Sequence, residues 1–94
     1  MTDSIMQCAR ECYITGAAAG LHQHHIYPGS RRRASEKWGC WVWLRWDWHV
    51  GSDYAVHNDT KLAKKLKREC QEKFEVLHGH EKFMQVFYKN YIEE

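Results

Sequence analysis

Seven histidines among 94 residues are the feature of this chain most able to do chemistry. Four of them, His24, His25, His49 and His57, bracket one basic and aromatic segment. Imidazole is the commonest protein metal ligand and carries a proton near neutral pH, so a cluster means more than any single ring. Between the pairs lies Arg31-Arg32-Arg33. Guanidinium forks match the oxygens of a phosphate. From residue 30 to residue 50 there are five cations (Arg31, Arg32, Arg33, Lys37, Arg45) and two anions, although the whole chain carries only +2. Trp38, Trp41, Trp43, Trp46 and Trp48 share that stretch and offer stacking surface to a base. The plain alternative is a set of hydrogen-bonded or surface imidazoles beside a solvated loop.

The elements that must position these residues follow from pattern. Leu21 to Tyr27 reads as a short strand, with Leu21, Gln23, His25 and Tyr27 on one face and His22, His24 and Ile26 on the other. His24 and His25 therefore point to opposite sides unless a bulge or strand end intervenes. Pro28-Gly29-Ser30 ends the strand. A helical turn is expected over 35–37, and Gly39 breaks it. Cys40 to Leu44 is the clearest strand, with Cys40, Val42 and Leu44 on one face and Trp41 and Trp43 on the other. Residues 50–59 read as loop. A helix capped by Asn58, Asp59 or Thr60 runs to about His78, with Leu62, Ala63, Leu66, Cys70, Phe74 and Leu77 as its apolar stripe. A second helix is expected over about 81–91, with Phe83, Met84, Phe87, Tyr88 and Tyr91 inward. Residues 4–13 fit a short helix or an irregular knuckle.

Composition bounds the rest. A chain of this length with 44% hydrophobic residues forms one small domain rather than a disordered tail. No run approaches the roughly 20 apolar residues of a membrane span, and the start lacks a basic then apolar leader, so the expectation is a cytoplasmic protein without a membrane partner. Cys8, Cys12, Cys40 and Cys70 then read as reduced thiols, with Cys40 and Cys70 in the core.

Five segments occur in order: His24-His25-Ile26-Tyr27-Pro28-Gly29, Ser35-Glu36-Lys37-Trp38-Gly39, the strand ending at Leu44, His49, and Val56-His57-Asn58. This order resembles the HNH, or ββα-metal, endonucleases. It is most similar to the small HNH-type proteins of bacteriophages and prophages. Those carry a double His before a glycine turn, a Ser-Glu-Lys-Tyr-Gly segment, a hydrophobic strand and a closing Val-His. The tail from Cys70 to Tyr91 reads like the same subgroup.

The resemblance implies an α+β fold with a compact ββα-metal core and two C-terminal helices. Residues 1–94 would form one domain: 1–20 as an N-terminal helix or knuckle remnant, 21–59 as the ββ and metal-site segment, 60–94 as the two-helix part. It implies a metal-dependent DNA endonuclease with His25 as general base. His24, His49 and His57 would be ligands to one divalent ion, with Zn, Ni, Mn or Mg as candidates. Arg31, Arg32, Arg33, Lys37 and Arg45 would contact nucleic acid. A homodimer would cut both strands. The chain departs from the family at three of the four zinc-knuckle positions, where Cys12 is kept and Thr15, Arg45 and Trp48 stand for cysteines, so no structural zinc knuckle is expected. Trp41, Trp43, Trp46 and Trp48 would pack in its place. The family's central Asn is missing near Gly39 and Cys40, and Pro28 replaces a glycine of the turn. These changes keep open an alternative: a catalytically impaired relative that binds nucleic acid or inhibits a host protein.

Overall fold

Alternating side chains make two short strands, and their pairing is the base on which everything else rests. β1 (Leu21–His25) and β2 (Trp41–Arg45) pair antiparallel, with Leu21 opposite Arg45 and His25 opposite Trp41. The structure is a computed structural model and describes residues 2–92; residues 1, 93 and 94 of the single-domain reading lie outside it. β1 is two residues shorter than expected, because the chain turns at Ile26 and Tyr27. Both remain buried, and the Ile26 N–H still donates to the Cys40 carbonyl.

A helical turn at 29–31 leads into α1 (Arg32–Lys37), which begins three residues earlier than expected. Ser35 holds α1 against the sheet. Its buried hydroxyl donates to the Cys40 carbonyl and accepts from the Tyr27 N–H. Gly39 then takes φ +72°, a left-handed conformation that costs glycine nothing. After β2 a π-helical turn spans 47–51, and its last two residues fall in the stretch expected to be loop.

α2 (Thr60–His78) starts where the Asp59 carboxylate accepts the N–H groups of Lys61 and Leu62. It buries Leu66, Cys70 and Phe74 against Val42, Leu44, Tyr27 and Phe83. Leu77 departs from the expected stripe and is 59% exposed, because the helix outruns the small core at its last turn. α3 (His80–Phe87) ends four residues short of the expected Tyr91. Tyr88 adopts φ 63°, stands 65% exposed and stacks under the Arg31 guanidinium at 4.0 Å. Buried Gln71 ties down the tail that follows, donating to Asn90 and accepting from the Tyr91 N–H.

Residues 2–20 form no helix. They wrap as irregular chain that buries Met6 and Cys12, with Ile5 N–H bonded to Gly39 and Tyr13 N–H to Trp43. This segment covers the Trp face of β2, and Trp41 is buried. The Trp41 ring N–H donates to the Thr2 carbonyl and Arg10 lies over Trp43. Trp46 stays out of the core and is 53% exposed. The whole is a small α+β fold with a two-stranded antiparallel sheet. Among the described residues, no helix is long and apolar enough to cross a membrane.

Candidate metal centre

Three separate pieces of chain each deliver one imidazole. His24 sits in the middle of β1, on the face it shares with His22 and Ile26, and is buried. His49 comes from the π-helical turn. That turn is braced by Ser52 and Tyr54, whose hydroxyls donate to the carbonyl and the carboxylate of Asp47. His57 comes from the turn before α2, held by Asn58, whose N–H meets the Ala55 carbonyl and whose side chain meets the Ser52 carbonyl. One ring nitrogen from each of His24, His49 and His57 lies within 4.8 Å of the others, so the trio can hold a metal ion.

The spacing suits coordination. Two imidazoles bound to zinc at tetrahedral angles have nitrogens about 3.3 Å apart, from bonds of about 2.0–2.1 Å. His49 Nε2 and His57 Nε2 already stand 3.0 Å apart. The electrostatics suit it too. Burial, then the neighbouring His49 and His57, push His24 down to about 3. Burial, then His57 and His22, push His49 down to about 4. Both rings are therefore neutral at pH 7, the form in which imidazole ligates.

His22 was not among the expected ligands, yet its Nδ1 is 3.1 Å from His49 Nδ1. With the other nitrogen of His49 turned to His57, His22 is the outer partner that can fix the His49 tautomer. The period of two that puts His22 on the His24 face was the signal for it.

His25 lies on the opposite face of β1. Its Nε2 is 2.9 Å from Glu36 Oε2, and Gln23 donates to the same oxygen at 3.0 Å. His25 lines two adjoining hollows. One, of about 190 Å³, also contains His24, His49, His57, Arg32 and Pro28. The other, of about 370 Å³, contains Gln23, Glu36, Arg32, Arg33 and Lys37. The strand end thus lets one ring reach the trio from the far face of the pleat.

The expected cations divide. Arg32, Arg33 and Lys37 are exposed and line the hollow beside His25. Arg31 is committed to Tyr88. Arg45 is at the other end of β2 and grips both Asp47 oxygens, at 2.6 and 2.8 Å. Its guanidinium holds the Asp47 carboxyl well below the usual carboxylate range. At the knuckle positions, Cys12 is buried and its thiol accepts from the Thr15 N–H, while Trp48 stacks on Tyr54. Burial opposes ionisation of Cys12, but the hydrogen bonds from Thr15 and the neighbouring backbone outweigh it and lower its pKa.

No protein-family model, no curated protein and no solved structure matches the chain.

Proposed function

We propose that this protein is a metal-dependent nuclease of the HNH, or ββα-metal, type that hydrolyses phosphodiester bonds in DNA. One observation carries the reading. Three imidazoles from distant parts of the chain converge, and a fourth, His25, opens into the same hollow beside Arg32. Phosphodiester hydrolysis needs an activated water, neutralised phosphate charge and help for the leaving oxygen. His24, His49 and His57 would hold one divalent ion, which when bound supplies Lewis acidity to the phosphate and the leaving oxygen. An all-nitrogen donor set favours Zn, Ni or Mn over Mg. His25 takes the proton of the attacking water as general base. Arg32 and Arg33 hold phosphate oxygens by charge-assisted hydrogen bonds. Arg31 and Arg45 are engaged elsewhere and contribute little to DNA.

A single copy would nick, and a homodimer would cut both strands. The protein-docking alternative draws no support from Trp41 and Trp43, because residues 2–10 lie over that face. The test is supercoiled plasmid incubated with Mn, Ni, Zn or Mg, wild type against His25→Ala. Relaxed or linear product from wild type alone supports the reading. Intact plasmid with every metal overturns it.

A further inference from the structure

Among the described residues, Glu36 is the only carboxylate lining either hollow, and it stands 2.9 Å from a ring nitrogen of His25. We infer that Glu36 is a positioning residue that holds His25 with its proton on Nε2 and its lone pair on Nδ1. This rests on the nuclease reading for its consequence, though not for its geometry.

The argument is one of donors and acceptors. An ionised carboxylate offers only lone pairs, so the 2.9 Å contact requires an N–H on His25 Nε2. A neutral ring has one N–H, and Nδ1 is then its only basic nitrogen. The carboxylate is itself placed by the backbone. α1 carries Glu36, and the neighbouring Ser35 pins α1 to Cys40 and Tyr27. Gln23, two residues before His25 on the same face of β1, donates to the same Oε2 at 3.0 Å. The His25 side chain is 12% exposed, so the ring has little freedom to turn away.

The chemical consequence balances. Nδ1 takes one proton from water as its oxygen bonds to phosphorus and the bond to the leaving oxygen breaks. The imidazolium formed lies beside a full negative charge, which stabilises it in the transition state and not before. The proton then returns to solvent or to the leaving oxygen, and the Glu36 carboxylate ends as it began.

The experiment has two arms on the full chain. Long-range proton–nitrogen NMR of the metal-free protein reads the His25 tautomer in wild type, Glu36→Gln and Glu36→Ala. Steady-state plasmid cleavage with Mn over a range of plasmid concentrations reads kcat and KM separately. The inference expects the Nε2–H form in wild type and in Glu36→Gln, whose amide oxygen still accepts, and mixed tautomers in Glu36→Ala. It expects kcat to fall on the order of 10- to 100-fold in Glu36→Ala with KM within about two-fold, and a smaller fall in Glu36→Gln. An Nδ1–H form in wild type overturns it, and so does a Glu36→Ala variant with unchanged tautomer and rate. If wild type cleaves nothing, the nuclease reading fails, and the NMR arm still decides what Glu36 does.

Discussion

His24 and His25 are neighbours on one strand, yet the two sides of β1 treat them in opposite ways. His24 is buried among imidazoles and is held neutral down to about pH 3. His25 faces a carboxylate at 2.9 Å and a hollow lined by Arg32, Arg33 and Lys37. A pleat that alternates every residue is enough to create this difference. The lesson is that a double histidine is not one site repeated. It places a ring suited to bind a cation beside a ring suited to carry a proton, and environment alone separates the two roles.

The sharpest way to break this contrast is to remove each ring in turn. His25→Ala is expected to lower cleavage by roughly 10²- to 10⁴-fold, the usual contribution of a general base. Its metal affinity, measured by calorimetry with Ni or Zn, stays near wild type. His24→Ala is expected to lose the metal, and with it both cleavage and the rise in melting temperature that metal confers. If the two variants fail in the same way, the faces of β1 are not functionally distinct.

Acid tests the buried side alone. His24 and His49 have folded pKa values of about 3 and 4, against about 6.5 when unfolded. The unfolded chain therefore binds more protons below pH 6.5, and stability falls as pH drops through that window. Stability is unaffected by these rings above about pH 7. Well inside the window, buried His24 alone costs up to about 1.4 kcal/mol per pH unit. His49 adds in the same direction but less, being half-exposed. Urea melts of the metal-free protein at pH 7, 6 and 5 measure the slope. His24→Gln, which does not titrate, is expected to flatten it. A wild-type slope no steeper than the variant's would show that His24 is not held neutral by the fold.

The carboxylate side depends instead on how α1 is handed to β2. A Cβ on Gly39 would strike the Asp3 carbonyl and Ile5, and the φ of +72° is already unfavourable for other residues. Gly39→Ala is expected to destabilise the fold by about 1–3 kcal/mol in chemical denaturation. It should disturb the Glu36–His25 contact before the imidazole trio, seen as changed His25 resonances with metal affinity retained. A neutral Gly39→Ala would mean that residues 2–5 do not pack on this turn in solution.

What could be read from residue order divides along the same line. The helix α2 was legible, because a capping residue among 58–60 and the Leu66-Cys70-Phe74 stripe are local signals, whereas the grouping of His24, His49 and His57 was marked by the order of segments that resembles a family and not by periodicity. The His25 partner was not. Glu36 stands eleven residues away and meets His25 only because Ser35 docks α1 on the sheet, a contact with no periodic trace. Tertiary packing also overrode local pattern at Tyr88, which left α3 for Arg31, and at Leu77, which has no core left to enter. Buried Gln71 escaped notice because a polar residue on an apolar stripe has meaning only once the tail it binds is in place. Composition located the cations but not their commitments.

Those commitments yield the smallest and most selective effect. Each guanidinium that neutralises a phosphate adds about 0.9 to the slope of log affinity against log salt. Arg32 lines both hollows beside His25, whereas Arg45 spends both of its nitrogen contacts on Asp47. Arg32→Ala is therefore expected to reduce the salt slope of binding to a short duplex by about 1. Arg45→Ala is expected to leave it unchanged. The measurement is fluorescence anisotropy across a salt series, using His25→Ala as the parent so that DNA stays intact. Equal loss in both variants would mean that DNA spans the full length of the sheet and reads past the Asp47 pairing. Loss in Arg32→Ala alone would confine the phosphate track to the His25 end, where the carboxylate-held ring and the three imidazoles meet.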